Sequence, residues 1–268
     1  MKSIFFISFL FIFTSLNSQY NPNDQETFSW LIADNVNLRL SPINGKILTN
    51  LPIASKLKVM GSADAPNENW AEVVYIDGDK EITGYLLEEF IAEKARFDKN
   101  TKNVFLFKTI GMKKNKWGDI RPEIQIRVAK NNKELDRTSI VGEHKNGFYI
   151  KAMNGRGLGN VQNIITVDFP QECCACPTGM HYLLWNGKKI IKAFILHDGS
   201  DAPYFGSSAL IFPEDNGGFY NAIIKVSYSG YHGDDLEEII EEVNTTFYSW
   251  DSKAEKLNVI FPHPEQKK

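Results

Sequence analysis

The chain has 268 residues and a formal net charge of −3, with 30 Lys and Arg against 33 Asp and Glu. That balance gives no basic face, so nucleic acid is excluded as an expected partner. With 43% apolar and 12% aromatic residues the chain can bury ordinary cores, and its length allows one large or two modest domains.

Residues 1–18, MKSIFFISFLFIFTSLNS, place one lysine before a run of Ile, Phe and Leu, then small and polar residues. This is the order of a secretory signal peptide, and the apolar run is too short to span a bilayer. No cysteine follows it, so a lipoprotein anchor is not expected. No later stretch is long and apolar enough for a transmembrane segment. We therefore expect an exported chain, periplasmic, extracellular or at the cell surface.

After a polar leader, Trp30 to Glu93 reads as short strands. Val36, Leu38 and Leu40 alternate with Asn37 and Arg39, which predicts a strand with one buried face. Ser41-Pro42 and Asn44-Gly45 are turn signals. Leu57 and Val59 alternate with lysines, and Gly61 is expected to close that strand. Trp70, Val73 and Tyr75 belong to the next strand, which turns at Asp77-Gly78 and returns over Ile82 to Leu87. Five or so strands in this span make a small barrel.

The sequence Asn37-Leu38-Arg39 followed by Ser-Pro, then Leu51-Pro52, the Lys56–Val59 strand, Trp70 and Gly84-Tyr85-Leu86, resembles the bacterial Src-homology-3-like (SH3-like) domain of exported cell-envelope proteins. The resemblance covers about residues 30–93. It departs at two turns, where Ala54 and Ser41 stand in place of the family's usual glycines. It implies binding rather than catalysis, with peptidoglycan or an envelope protein as partner. Trp70, Tyr75 and Tyr85 are the candidate ligand-binding residues, because flat aromatic faces with a polar tip suit peptide contacts.

Residues 94–103 are charged and read as a linker. Ten short runs rich in Ile, Val, Phe and Tyr then follow over residues 104–264, each a candidate strand. Asn154-Gly155, Asn186-Gly187, Asp198-Gly199 and Asn216-Gly217-Gly218 are read as turns between them. HYLLWNGKKIIKAF (181–194) and TFYSWDSKAEKLNVIF (246–261) echo one another as hairpins with a Trp just before the turn. One segment breaks the pattern. In GDDLEEIIEEVN (233–244) the spacing of Leu236, Ile239, Ile240 and Val243 predicts a helix.

The stretch Glu172–His181, ECCACPTGMH, concentrates the sulfur chemistry. In an exported protein we expect a Cys173–Cys176 disulfide. Free thiols, a metal held by Cys173, Cys176 and His181, and thiol redox chemistry stay open as alternatives. His197-Asp198-Gly199-Ser200 places triad residue types side by side, but a triad needs them converging from separate elements. The three glycines of Asn154–Gly159 lack the Lys-Ser/Thr of a phosphate loop. No catalytic residue, metal or cofactor is assigned.

The expected fold is all-β: residues 27–93 form an SH3-like barrel, and residues 104–264 a β-sandwich-like domain, or a partial propeller if the hairpin echo extends. The expected function is non-enzymatic binding in the bacterial cell envelope. The alternative is a cell-wall hydrolase, or a thiol- or metal-dependent protein, that uses the barrel for targeting.

Overall fold

The structure is a computed structural model that describes residues 28–64, 67–114, 118–143, 147–170, 178–233 and 238–260. Among these the fold is all-β, with a single 3-10 turn at Glu88–Phe90 and no helix long and apolar enough to cross a membrane.

The first unit contains β1 (Ser29–Trp30), β2 (Val36–Arg39), β3 (Ile47–Leu51), β4 (Lys56–Ser62), β5 (Trp70–Asp77) and β6 (Lys80–Leu87), in the order β1-β4-β5-β6-β2-β3. Leu51 of β3 and Leu57 of β4 stand far apart in that order, yet both bury in one core with Val36, Leu38, Val73 and Leu86. The sheet therefore curls on itself, and it stays open between its edges β1 and β3. Gly61 does not end β4; it follows a bulge inside the strand. Gly78 takes the left-handed conformation its turn requires. Ala54, where the resembled family has glycine, also has a left-handed φ of 60°.

The second sheet is four-stranded: β7 (Lys94–Phe97), β8 (Val104–Lys114), β9 (Ile120–Lys130) and β10 (Lys133–Val141), ordered β10-β9-β8-β7. Its first strand lies inside the charged segment 94–103. The third sheet is an eight-stranded meander of β11 (Tyr149–Asn154), β12 (Asn163–Phe169), β13 (Thr178–Trp185), β14 (Ile190–Asp201), β15 (Tyr204–Ile211), β16 (Ala222–His232), β17 (Glu238–Asp251) and β18 (Lys256–Val259).

Side-chain alternation shows how these sheets stack. On β8, Phe105 and Phe107 face a core shared with Val167, Phe169, Leu183 and Trp185 of the meander. Their neighbours Val104 and Leu106 face the other way, onto Ile32, Ile53 and Ala92 of the first unit. On β12, Ile165 joins the first of these cores, while Ile164 joins Leu184, Phe212, Ile223 and Trp250. The meander thus folds back across itself near β14. The result is four layers: the curled sheet, the four-stranded sheet, β11–β14, and β15–β18. Strands inside the stack are covered on both faces, which is why Val104–Phe107 reads as an unbroken apolar run and why Asn163–Val167 is buried throughout, polar Asn163 and Thr166 included.

Two expectations need correction. The helix expected over 233–244 is absent from its described part, because Glu238–Asn244 opens β17 and pairs with β16. A bulge at Glu241, opposite Ser229 and Gly230, breaks the period of two there, so Ile240 and Val243 share a face three residues apart and mimic helical spacing. Asp198-Gly199 is no turn either. Both residues lie within β14, and the chain reverses after Asp201.

Candidate functional site

Strand register places the three aromatic residues singled out in the sequence. Trp70 pairs with Leu87, Glu72 with Tyr85, and Tyr85 also with Arg39. Paired residues share a face, so Trp70 and Tyr85 are diagonal neighbours on the outer side of the first sheet, with Glu72 and Arg39 between and beside them. Both rings are partly exposed. Arg39 is held in place by donating from Nη1 to the Gly45 carbonyl at 3.0 Å. Tyr75 lies on the opposite face against the core. Burial raises its phenol pKa, Asp77 adds to this, and a hydrogen bond with Ser55 opposes it. The fold therefore brings Trp70 and Tyr85 together and directs Tyr75 away from them.

A second site comes from the β13–β14 hairpin and two strands distant from it in sequence, β8 and β10. The C-terminal end of β10 stands off from β13 and β14 and leaves a cleft of about 530 Å³. Leu183 and Ile195 supply apolar surface, Lys113, Lys114 and Lys192 supply cationic surface, and His197 adds an imidazole. Glu143 and His181 also line it, with Glu143 Oε1 3.2 Å from His181 Nε2. His181 is 5% exposed and meets the Phe169 ring edge-on at 5.6 Å. Gly179 makes this pair possible, since a Cβ there would fall 2.0 Å from Glu143 Cγ. Lys113 pairs with Glu123 at 3.3 Å, and Ser139 Oγ donates to the same carboxylate at 2.6 Å. That leaves Lys114 and Lys192 without an ion pair among the described residues.

Residues 171–177, which hold Cys173, Cys174 and Cys176, lie outside the described residues. His181, the histidine expected beside them, is engaged with Glu143, and His197 lies on the same face of the adjacent strand, opposite Gly179. Among the described residues no group of three or more His, Cys, Asp or Glu is arranged to hold a metal. His197 and Asp198 alternate across β14, and Asp198 Oδ1 accepts from Ser207 Oγ and the Ser208 N–H, both at 2.8 Å. No triad is assembled there. The glycine-rich loop after β11 has a structural role: Arg156 pairs with Asp215 and lies 5.1 Å over the Phe212 ring, and the Gly159 carbonyl accepts from Trp250 Nε1 at 2.6 Å.

Compared with models of protein families, with curated proteins and with solved structures, the chain matches none.

Proposed function

We propose that this is an exported, non-enzymatic binding protein of the bacterial cell envelope, and that its first unit contacts peptidoglycan or an envelope protein through the face carrying Trp70 and Tyr85. The observation that carries the reading is the placement of these two rings. They are diagonal neighbours on one face, partly exposed and flanked by Glu72 and Arg39, while the opposite face is filled by core. Large amphipathic rings beside fixed charges suit peptide recognition. The left-handed Ala54, at a position where the resembled family has glycine, supports the resemblance on which the envelope reading rests.

Co-sedimentation of the purified protein with isolated sacculi tests the proposal. The protein is expected in the pellet, and Trp70→Ala is expected to lower the bound fraction several-fold with little change in thermal midpoint. Absence from the pellet, together with no partner recovered from envelope extract, would overturn it. Release of soluble muropeptides during the incubation would replace it with a hydrolase.

A further inference from the structure

The cleft beside β10 has a property that the face of the first unit lacks: it is bordered by a strand edge that pairs with no further strand among the described residues. The Gly142 N–H donates to the Pro122 carbonyl at 2.7 Å, so Gly142 and Pro122 form a hydrogen-bonded pair of the antiparallel ladder. The register runs unbroken from Asp136 to Val141, so bonded and non-bonded pairs alternate back along the strand. Ser139 and Val141 therefore turn their N–H and C=O groups away from β9. Both residues line the cleft, and among the described residues β10 has no other strand partner. Farther back the edge is sealed, because Asp136 Oδ2 accepts from the Ile190 N–H at 2.7 Å. The open edge thus covers residues 139–143, room for an extended segment of about four or five residues at roughly 3.4 Å each.

Across the gap, β14 presents Ile195, 47% exposed, with Lys192 and His197 on the same face, and Lys114 adds charge from the end of β8. The carboxylate in the cleft, Glu143, is already engaged by His181. Glu123, paired with Lys113 and drawn on by Lys192, is the second carboxylate nearby, so three lysines face two carboxylates and the surroundings are net cationic, with an apolar wall.

We propose that this cleft binds a short, extended, anionic peptide, which adds as a strand to the free edge of β10 and lays its carboxylates against Lys114 and Lys192. Backbone groups at Ser139 and Val141 give main-chain bonds, Ile195 takes an apolar side chain, and the lysines select for negative charge. This site lies on other strands than Trp70 and Tyr85, so it stands or falls separately from the envelope reading.

The test is fluorescence anisotropy of the full mature chain with a labelled Val-Glu-Val-Glu-Val peptide at low salt. Saturable binding is expected, weakened by added sodium chloride. The Lys114→Gln/Lys192→Gln double variant is expected to bind about tenfold more weakly, and so is unmodified protein with the same peptide N-methylated at its central amides. A Val-Lys-Val-Lys-Val peptide should not bind. Failure of the acidic peptide to bind overturns the proposal. Equal binding of the N-methylated peptide also overturns it, because it would leave only a charge site. Self-association that the peptide displaces would instead put a second copy of the chain on this edge. The N-methyl comparison needs no variant, so it decides the matter even if the double variant does not fold.

Discussion

The Asp98 carboxylate accepts from the Asn100 N–H at 2.9 Å, from Thr101 Oγ1 at 2.7 Å and from Asn163 Nδ2 at 2.8 Å, latching the turn after β7 to the start of β12. Burial pushes its pKa up, but the hydrogen bonds from Asn163, Thr101 and the local backbone prevail and hold it below the ordinary value. Asp168 on β12 is the opposite case. Burial raises its pKa, Lys151 offsets this in part, and Asp198 adds to the rise. The signs follow from proton linkage. The Asp98 contribution is complete above the ordinary carboxylate pKa, near about 4, and is lost as pH falls through its lower folded value. The Asp168 contribution is present at low pH and is lost as pH rises through its higher folded value. Asp98→Asn is thus expected to cost about 1 kcal/mol at neutral pH and to flatten the acid limb of the stability curve. Asp168→Asn should raise stability at pH 7 and leave that limb in place. Urea midpoints measured from pH 3 to 8 check both.

Two hairpins of the meander share one device. In the β13–β14 turn Asn186 Oδ1 accepts from the N–H groups of Lys188 at 2.9 Å and Lys189 at 2.8 Å. In the β17–β18 turn Asp251 Oδ1 accepts from those of Lys253 and Ala254, both at 2.9 Å. Each follows a Trp that is almost fully buried, Trp185 or Trp250. The two turns also meet, since Glu255 takes hydrogen bonds from Asn186 Nδ2 and Lys189 Nζ. Asn186→Ala is therefore expected to destabilise the protein by about 1 kcal/mol, read from chemical denaturation, by removing both bonds within the turn and the link to Glu255. The sequence echo that pointed to these hairpins reflects a physical need: a short polar side chain must close the turn while the preceding Trp enters a core. Other elements were legible for equally local reasons. The run NIITVDF, Asn163–Phe169, spans β12 from end to end, because Ile164 fills a core on one face of the strand and Ile165, Val167 and Phe169 fill another. β10 escapes such a reading. As an edge strand it spreads Leu135, Ile140 and Val141 among charged residues, and its turn is made by Asn131 and Asn132, both left-handed, without glycine. The cleft was illegible for a related reason. Lys114, Glu143 and the hairpin carrying His181 and Lys192 are far apart in sequence, and only the stacking of two sheets brings them together.

At the scale of the whole molecule, the first unit is joined to the rest by an apolar seam. Ile32, Ile53, Ala54 and Ala92 meet Val104, Leu106 and Ala129, and the Trp30 and Phe97 rings stack at 6.0 Å beside them. Lys108 Nζ reinforces the contact by donating to the Glu88 and Ile91 carbonyls at 3.0 and 2.9 Å. A seam of this kind couples the units, so thermal unfolding is expected as one transition. Leu106→Ala should lower stability by about 2–4 kcal/mol, through the cavity it leaves. Deleting residues 28–92 would bare Val104, Leu106 and Ala129 and is expected to lower the melting temperature of the remainder, measured by calorimetry. Two separate transitions in the intact chain, with no change on deletion, would show the units to be independent.

The order of the four layers has a consequence for how the chain is made. Layers succeed one another in space as they do in sequence, so each sheet lies against the one synthesised just before it. A polypeptide emerging N-terminus first would find a finished apolar surface waiting for every new sheet. Only the outward side of the growing stack would stay bare, until β15–β18 folds back across β11–β14 and closes the last core.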